Sequence, residues 1–375
     1  MRIAMVAASW DLDADEDRAY VAELCSVLSR DDHDVVLYTR RDSPGPRERR
    51  RTPHGYEIVR VSAGSDTGDE AVDGFASFLE REWDERPPDV AHPHGRASGL
   101  AVGAGRVPVV QTFHHSAGSR ISRPTPLDRS VCASADRVIA MSRWEQVKLL
   151  HMGVRKPKSA VVPRGIDTAL FHPDGPVAPR GHRTRVLALG DVVPTSGFHT
   201  AISALRWAPG AELVIAGRIR HPAPMEDVEV RRLVELADRA GVGDRVRFTG
   251  RVTRARLPRL IRSADVVLRV PRFDPYGSAA VQAMACGVPV IAADVGALAD
   301  VVVDGVTGVL VPPHDPRALG HVLRDLLADA TRRQIHAIAG RDRACARYSW
   351  ERVLPEHLAV YQDAITGSQA VSSRS

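Results

Sequence analysis

The stretch from Phe273 to Gly296 contains the residues whose types and spacing point most directly to chemistry. It reads Phe-Asp-Pro-Tyr-Gly-Ser-Ala-Ala-Val-Gln-Ala-Met-Ala-Cys-Gly-Val-Pro-Val-Ile-Ala-Ala-Asp-Val-Gly. Gly277 falls where a loop should turn into a helix, so the first backbone N–H groups of that helix could face an anion. Asp274 lies on the predicted loop and Gln282 within the predicted helix. The pattern predicts a strand–loop–helix anion site, and an ordinary helix start is the alternative.

Histidines follow two further apolar runs. His92 and His94 occur in the sequence His-Pro-His-Gly, and a second pair that begins at His114 follows a Thr-Phe dipeptide. The carboxyl ends of neighbouring parallel strands meet at one edge of a sheet, so these side chains could meet there. The alternative is a purely structural role at two strand ends. His92 and His94 have no nearby third ligand, so a zinc site is not predicted.

A run of acids, Trp10-Asp-Leu-Asp-Ala-Asp-Glu-Asp17, follows the first apolar run and contains no glycine. Asp11, Asp13 and Asp15 alternate as they would in a calcium loop, but such a loop also needs a glycine and a terminal glutamate. A solvated helix cap is therefore the simpler interpretation of this segment.

Short apolar, β-branched runs alternate with helix-length segments along the whole chain. The predicted strands are Ile3–Ala7, Val35–Thr39, Glu57–Val61, Asp89–His92, Val107–Phe113, Arg137–Met141, Ala160–Pro163, Arg185–Leu189, Glu212–Ala216, Arg245–Thr249, Ala264–Val270, Pro289–Ala292 and Val309–Val311. Such strands, separated by helices, indicate parallel sheets covered on both faces, hence an α/β protein. The proline-rich segment Phe171–Arg180 predicts a linker between two doubly wound halves. Ligands are expected beyond the carboxyl ends of the strands, in a cleft between the facing domains.

The composition is that of an ordinary globular protein. The 375 residues are 44% hydrophobic and 26% charged, with 51 basic and 46 acidic side chains and a net charge of +5. The basic side chains are scattered among acids, so no nucleic-acid partner is expected, and the dense patch Arg47–Arg51 is interpreted as a solvated loop. No apolar run could span a bilayer and the N-terminus reads as a strand, so a cytoplasmic protein is expected. Four dispersed cysteines predict reduced thiols, and the tail after Gly367 should be disordered.

The stretch around Gly277 is similar to the E-x7-E region of family 4 retaining glycosyltransferases, in which Glu-Pro-Phe-Gly precedes Ala-Met-Ala-Cys-Gly-Val-Pro-Val. Other motifs that resemble those of this family occur in order along the chain, at Val162–Asp167, Phe171–Pro173, Arg247–Val252, Ser263–Asp265, Asp304–Gly308 and Tyr348–Trp350. The resemblance covers nearly the whole chain. It implies the GT-B fold, with two Rossmann-like domains at 1–172 and 180–345 facing across a cleft and a helix at 348–366 that crosses back to the first.

The resemblance also implies roles for individual residues. His114 matches the histidine near the donor sugar and the acceptor hydroxyl, and Asp274 matches the first glutamate, which should meet the sugar hydroxyls. The residues expected to bind the donor are Gly190, Asp191, Ser196, Gly197, Gly217, Arg251, Val252, Tyr276, Gly277, Ser278 and Gln282. Asp13, Asp15 and His94 are expected on the acceptor side, where the acids could meet a cationic acceptor such as an amino sugar or aminocyclitol. Neither a metal nor another cofactor is expected, since the nucleotide sugar is a co-substrate.

The sequence departs from the family pattern where charge matters most. The family's diphosphate clamp, Gly-Arg-x-x-x-x-Lys-Gly, is replaced here by a stretch with Asp191 for the arginine and Ser196 for the lysine. A leaving diphosphate develops negative charge, and the loss of two charge-assisted hydrogen bonds would cost about two to four decades in binding or rate. Gln282 replaces the second glutamate but can still accept a hydrogen bond from the ribose. The candidates to replace the lost cations are Arg218, Arg251 and Arg272.

Two functions from different classes follow from these observations. The first is a retaining hexosyltransferase of carbohydrate metabolism, which moves a sugar from a UDP- or GDP-type donor to a hydroxyl of a small molecule or glycan. The second is a catalytically silent relative that binds a protein partner or an altered ligand, because Asp191, Ser196 and Gln282 replace charged residues. A different reaction in the same cleft is a third hypothesis. The sequence predicts neither donor base, sugar, acceptor nor oligomeric state, and it leaves peripheral membrane contact open.

Overall fold

The chain folds into two compact units. The computed structural model describes residues 1–7, 15–41, 48–62, 69–103, 107–114, 125–221 and 223–372. Unit 1 comprises Met1–Gly165 and Glu351–Ser375, and unit 2 comprises Ile166–Trp350. The boundary therefore precedes the predicted linker. Phe171, at the start of that segment, is 1% exposed and packs with Ile166 in the core of unit 2, which is why this segment belongs to the second unit.

Unit 1 is built on a mostly parallel sheet. Its strands are β1 (Arg2–Ala7), β2 (Asp34–Arg41), β3 (Glu48–Arg51), β4 (Glu57–Ser62), β5 (Val90–Pro93), β6 (Val110–Thr112), β7 (Arg137–Ala140) and β8 (Ser159–Val161), and its helices before residue 165 are α1 (Asp15–Arg30), α2 (Asp69–Glu85), α3 (Arg96–Val102), α4 (Pro126–Ser134) and α5 (Arg143–His151). The strand order is β3-β4-β2-β1-β5 and β6-β7-β8, and the bridges Ala91–Val109 and His94–Thr112 join the two sets. The order reverses at β1, where a doubly wound sheet opens a crevice.

Strand β3 differs from the prediction for Arg47–Arg51, which was a solvated loop. Glu48–Arg51 instead pair antiparallel with β4 at the edge of the sheet, and Arg47 lies outside the described residues. The cause is the side chain of Arg49, which forms an ion pair with the buried Glu82 and donates to Glu57 at 2.7 Å. These contacts hold β3 against the sheet, although its charged side chains favour exposure to solvent.

Unit 2 has a fully parallel six-stranded sheet. Its strands are β9 (Thr184–Leu189), β10 (Ala211–Ala216), β11 (Val246–Gly250), β12 (Val266–Arg269), β13 (Val290–Ala293) and β14 (Gly308–Val311), and its helices are α6 (Phe198–Ala204), α7 (Val228–Arg239), α8 (Leu257–Arg262), α9 (Ser278–Ala285), α10 (Leu298–Val301), α11 (Pro316–Ala328) and α12 (Ala330–Arg343). The order is β11-β10-β9-β12-β13-β14, which reverses between β9 and β12. This is the order of a doubly wound sheet of Rossmann type.

The last helix, α13 (Trp350–Ser372), belongs almost entirely to unit 1. It extends beyond the predicted segment 348–366, so residues 367–372 are helical where composition indicated disorder, and residues 373–375 lie outside the described part. Within the described ranges, no helix combines the length and the apolar character that crossing a bilayer requires. All four cysteines are free thiols; Cys25, Cys132 and Cys286 are buried and Cys345 is exposed.

Candidate functional site

The loops after β9, β10 and β12 lie together at the carboxyl edge of the unit 2 sheet. The Gly190 N–H donates to the Ala216 carbonyl at 3.1 Å and joins the ends of β9 and β10. On the other side, the Arg272 N–H donates to the Thr195 carbonyl at 2.8 Å and joins the β12 loop to the β9 loop. Because the strand order reverses here, this is where a sheet of this type binds its ligand.

Two glycines permit this close approach of backbone to backbone. A Cβ on Gly197 would lie 1.7 Å from the Val270 carbonyl oxygen, and the residue also has φ +77°, which an L side chain disfavours. A Cβ on Gly217 would lie 1.7 Å from the Gly190 carbonyl oxygen. Larger residues at either position would force the loops apart, so these glycines determine the shape of the edge.

Asp191, where the family has an arginine, forms an ion pair with Arg218 on the neighbouring loop. Asp191 Oδ2 accepts from Arg218 Nε at 3.2 Å and from a terminal nitrogen of the same guanidinium at 2.9 Å, while Oδ1 accepts from the Arg218 backbone N–H at 3.3 Å. The two side chains are 43% and 48% exposed. The negative charge of Asp191, which replaces a positive charge of the family's diphosphate clamp, is therefore neutralised by an arginine.

Asp227 anchors the far end of the loop that carries Arg218. Its Oδ1 accepts from the Glu229 and Val230 N–H groups at the start of α7, and its Oδ2 accepts from the Arg220 and His221 N–H groups. Burial raises the pKa of this carboxyl, but the four N–H donors outweigh burial and hold the pKa below its usual value.

Replacement of Asp227 tests this anchor. We expect Asp227→Ala to lower the free energy of unfolding of unit 2 by about 1–2 kcal/mol, as for other lost helix caps. Asp227→Asn is the matched control. Its free energy of unfolding should lie between those of the wild type and Asp227→Ala, because an amide can cap α7 but cannot also accept from the β10 loop. Urea unfolding measures both, and an unchanged midpoint for Asp227→Ala would contradict the anchoring role.

Asp274 is buried and engaged by the protein. It is 4% exposed; Oδ2 accepts from Arg269 Nε at 2.6 Å, and Oδ1 accepts from the Tyr276 and Gly277 N–H groups at 3.1 and 2.8 Å. Burial raises the pKa of Asp274, but the Arg269 charge and the loop N–H donors outweigh it and lower the pKa overall. This geometry orders the loop before α9, whereas the predicted contact with sugar hydroxyls stays a prediction.

The other predicted donor residues are distributed around the same edge. The Ser196 hydroxyl donates to the Asp191 carbonyl at 2.6 Å and closes the β9 loop. Tyr276 is 9% exposed, Gly277 is the N-cap of α9, and the Ser278 hydroxyl is buried with no hydrogen-bond partner in the described part of the chain. Gln282 lies half-buried in α9, and the pair Arg251 and Val252 follows β11. The loops after β9, β10 and β12 are thus brought together. Arg251 and Val252 follow β11, whose end is joined to the β10 loop by the Gly217 N–H, which donates to the Gly250 carbonyl at 3.1 Å.

Arg269 is a site residue that the sequence analysis missed. Besides Asp274, its guanidinium donates to the Leu189 carbonyl at 2.7 Å, and a Cβ on Gly190 would lie 2.5 Å from one of its terminal nitrogens. The signal was present as an arginine that ends the otherwise apolar run Val266-Val-Leu-Arg269. A charge at the end of a buried strand needs a partner, and the nearby acid was Asp274.

In unit 1, His114 lies at the end of β6 inside a cluster of polar side chains. Its side chain is 1% exposed, Nδ1 lies 3.3 Å from Asp17 Oδ1, and Nε2 lies 3.0 Å from His94 Nδ1. Asp17 also forms a buried ion pair with Arg164. Burial raises the pKa of Asp17, but Arg164 and His114 outweigh it, and the pKa lies well below its usual range.

The Nδ1 atom of His114 has two protein neighbours with opposite hydrogen-bonding character. Asp17 Oδ1, which only accepts, and a terminal nitrogen of Arg164, which only donates, both lie 3.3 Å from Nδ1, so these contacts do not fix the tautomer of His114. Burial lowers the pKa of His94 far below its usual value, so His94 is neutral, and its Nε2 has no hydrogen-bond partner among the described residues. Both His114 nitrogens therefore contact protein groups, and its predicted contact with donor and acceptor stays a prediction.

Helix α13 completes the core behind this cluster. The Tyr361 hydroxyl lies 2.7 Å from His92 Nδ1, and the Thr112 hydroxyl lies 2.8 Å from His92 Nε2. His357 donates from Nδ1 to the Val353 carbonyl, so its Nε2 accepts from the Tyr20 hydroxyl at 3.1 Å. The C-terminal helix thus supplies hydrogen-bond partners to a polar core whose other members come from the first part of the chain.

The predicted acceptor-side residues are only partly described. Asp11, Asp13 and His115 lie outside the described residues, and Asp15 is the first residue of α1. His94 is 0% exposed and belongs to the buried cluster rather than to the surface. In the part of the chain that the structure describes, no three His, Cys, Asp or Glu side chains are grouped so that they could hold a metal ion.

Comparison with known protein families covers both units. Residues 18–170 match the family described as Glycosyltransferase Family 4, and residues 176–343 match Glycosyl transferases group 1. A D-inositol 3-phosphate glycosyltransferase from Xylanimonas cellulosilytica is 33% identical over 390 residues, which cover 94% of this chain and 92% of the relative. The chain belongs to glycosyltransferase family 4. The sequence resemblance is thereby confirmed, and the glycosyltransferase class is established for this enzyme.

Solved structures place the family 4 chain in the GT-B fold. Sucrose-phosphate synthase from Thermosynechococcus elongatus superposes with a TM-score of 0.83 at 25% identity, covering 98% of this chain and 100% of that one. HepE from Anabaena, in complex with UDP, gives a TM-score of 0.73 at 20% identity over the full length of both chains. The predicted fold class, α/β with two Rossmann-like domains of GT-B type, is confirmed.

Proposed function

We propose that this enzyme transfers a sugar, with retention of the anomeric configuration, from a nucleotide-diphosphate sugar to an acceptor hydroxyl. The observation that carries the proposal is the set of three joined loops at the strand-order reversal of unit 2, where glycines let the backbone approach a ligand closely. The UDP-bound neighbour of the same fold supports a UDP-type donor as the first to test, with a GDP-type donor second.

Unit 2 provides the groups that a departing nucleoside diphosphate needs. When the bond between the anomeric carbon and the diphosphate oxygen breaks, the electron pair stays on the diphosphate and its charge grows. The first N–H groups of α9 point out of the helix start and favour an anion there. Asp274 holds the preceding loop in the conformation that presents them. Gln282 accepts from a ribose hydroxyl.

The acceptor we propose is a small cyclitol or a glycan. Relatives that cover more than nine-tenths of this chain are named D-inositol 3-phosphate glycosyltransferases, which favours a cyclitol phosphate. The acids Asp13 and Asp15 favour instead a cyclitol or sugar that carries an amine. In unit 1, Asp17 orients His114, which positions the donor sugar and the acceptor hydroxyl.

A second candidate function is a catalytically silent family member that binds a partner protein or an altered ligand. It is favoured by one specific observation: Asp274 and His114 both direct their polar atoms at protein groups. Both functions share the fold, so only binding and turnover distinguish them.

The proposal is tested by calorimetry, which measures the binding of UDP, GDP, ADP and dTDP and of the corresponding nucleotide sugars that carry a glucose-type sugar. We expect micromolar binding of one nucleotide, followed by product formation in a screen of inositol phosphates and aminocyclitols with that donor. If Asp13→Asn with Asp15→Asn leaves the affinity for every amine acceptor unchanged, the cationic acceptor is excluded. Protein that is folded by circular dichroism but binds no nucleotide at millimolar concentration would exclude the transferase and leave the silent relative.

A further inference from the structure

The cations that the family places on the β9 loop are missing here, yet the pair formed by Asp191 and Arg218 brings a guanidinium to the same loop. We propose that Arg218 is the diphosphate-binding cation of this enzyme and that Asp191 is its positioning residue. The positive charge is thus supplied from the loop after β10 instead of the loop after β9. This inference rests on the proposed function, because the ligand it names is a nucleoside diphosphate.

The hydrogen bonds of Asp191 fix both ends of Arg218. One carboxylate oxygen accepts from the backbone N–H and the other from two nitrogens of the guanidinium, at 2.9 to 3.3 Å. A long arginine side chain normally loses rotamer freedom on binding a ligand, and a carboxylate that already orders it reduces that cost. The side chain of Arg218 is still 48% exposed, so a solute can reach it.

The neighbouring backbone makes this placement a consequence of the strand order. Strand β10 lies beside β9, Gly217 packs against the Gly190 carbonyl, and the Val192 N–H donates to the Arg218 carbonyl at 2.8 Å. Arg218 is therefore held against the loop in which the family has its clamp. The β9 loop borders the strand-order reversal between β9 and β12, where a doubly wound sheet receives the phosphates of its ligand.

Charge compensation at this edge follows one pattern. Asp191 is paired with Arg218, and Asp274 is paired with Arg269, whose guanidinium lies against Gly190 on the β12 side of the loop. Each of these two carboxylates is thus neutralised by an arginine at or beyond a strand end, Asp191 by one that follows the neighbouring strand β10 and Asp274 by the last residue of its own strand β12. An approaching diphosphate meets oriented guanidinium groups instead of the net negative charge that Asp191 alone would give.

The test separates the diphosphate from the rest of the nucleotide. Uridine, UMP, UDP and inorganic pyrophosphate are titrated by calorimetry into the whole protein, together with the guanosine series. We expect Arg218→Gln to weaken UDP or GDP, whichever the wild type prefers, and pyrophosphate by about tenfold, the lower end for a hydrogen bond to a charged group, because the site is half-exposed. Binding of the nucleoside should not change, and Arg218→Lys should recover only part of the loss.

Two further variants test the positioning role and the loop. Asp191→Asn should weaken UDP and pyrophosphate although it removes a negative charge, because Arg218 loses its anchor. Arg220→Gln removes an exposed arginine two residues away on the same loop and should change no affinity. Asp191→Arg with Ser196→Lys places the family's cations on the β9 loop and should make UDP binding insensitive to Arg218→Gln.

The outcomes distinguish this inference from the proposed function. Equal weakening of the nucleoside and the diphosphate by Arg218→Gln would show that the ion pair only joins two loops, and the inference would be overturned while the transferase stands. Tighter UDP binding by Asp191→Asn would overturn the positioning role of Asp191. Pyrophosphate binding that depends on Arg218, in protein that binds no nucleotide, would support the anion site and reject the proposed donor. If wild-type protein binds neither pyrophosphate nor nucleotides, both fail.

Discussion

Lowering the pH from 7.5 to 5 is expected to remove about 6 kcal/mol from the free energy of unfolding of unit 1. Three histidines of its core, His92, His94 and His357, are 0% exposed. Burial lowers the pKa of His357 to about 4 and holds the pKa values of the other two well below their usual range. They therefore stay neutral in the folded unit at a pH where the unfolded chain binds protons.

The sign and the size follow from proton linkage. The unfolded histidines have pKa values near 6.5, so between pH 6.5 and 5 the unfolded state binds about three more protons than the folded state. Each contributes about 2 kcal/mol over this interval, at roughly 1.4 kcal/mol per proton and pH unit. The stability is fully present above pH 7 and is lost as the pH falls below 6.5. Asp17, whose pKa is lowered, adds a separate loss below about pH 4.

Hydrogen exchange with mass spectrometry in a urea series measures the loss for each unit separately. Unit 2 is the internal control: burial also lowers the pKa of His199 there, but this side chain is only half-buried, so a smaller loss is expected. His357→Gln is the control variant, since glutamine can accept from the Tyr20 hydroxyl without titrating. It should reduce the loss at pH 5 by about 2 kcal/mol. Equal acid sensitivity of variant and wild type would contradict the role of His357.

Arg269→Met is expected to destabilise unit 2 by about 3–5 kcal/mol, the usual consequence of removing one partner from a buried ion pair. The Asp274 carboxylate would stay 4% exposed with two loop N–H donors but without its counter-charge. The pKa of Asp274 should then rise, because burial alone raises it. The difference in stability between wild type and variant should therefore be largest above pH 4 and should shrink as the pH falls and Asp274 becomes protonated.

A double-mutant cycle with Asp274→Asn isolates the pair. The two single substitutions and the double variant are compared by urea unfolding of unit 2, and we expect the double variant to be more stable than the sum of the single losses predicts. Kinetics with the preferred donor provide the contrast. If Asp274→Asn raised KM for the nucleotide sugar but left unfolding unchanged, Asp274 would bind the sugar and would not order the loop.

The framework of the fold could be predicted from hydrophobic pattern because a parallel sheet buried on both faces leaves a distinct signal. Runs such as Ile3–Ala7 and Val309–Val311 lie within or match observed strands. Strand β3 could not be predicted in this way, because its three arginines give no apolar signal and its pairing depends on Glu82, which is more than thirty residues away.

The site was predicted at the level of loops but not at the level of contacts. Motif spacing identified the loops at Gly190 and Asp274, because glycines and helix starts leave local marks in a sequence. The pair of Asp191 with Arg218 depends on which strands become neighbours, whereas the pair of Asp274 with Arg269 depends on how the loop after β12 turns back on the end of its own strand. Asp191 considered alone predicts repulsion of a diphosphate. Only the structure shows that Arg218 neutralises this carboxylate.

The return of α13 to unit 1 sets the order in which the chain can fold during synthesis. Residues 166–350 are made between the two parts of unit 1. At about 5–20 residues per second, a ribosome needs roughly 10–40 s to make them. Throughout that time the histidine-rich core lacks Tyr361 and His357, which are the hydrogen-bond partners of His92 and Tyr20. The first unit therefore cannot complete its polar core until the residues of α13 have been made.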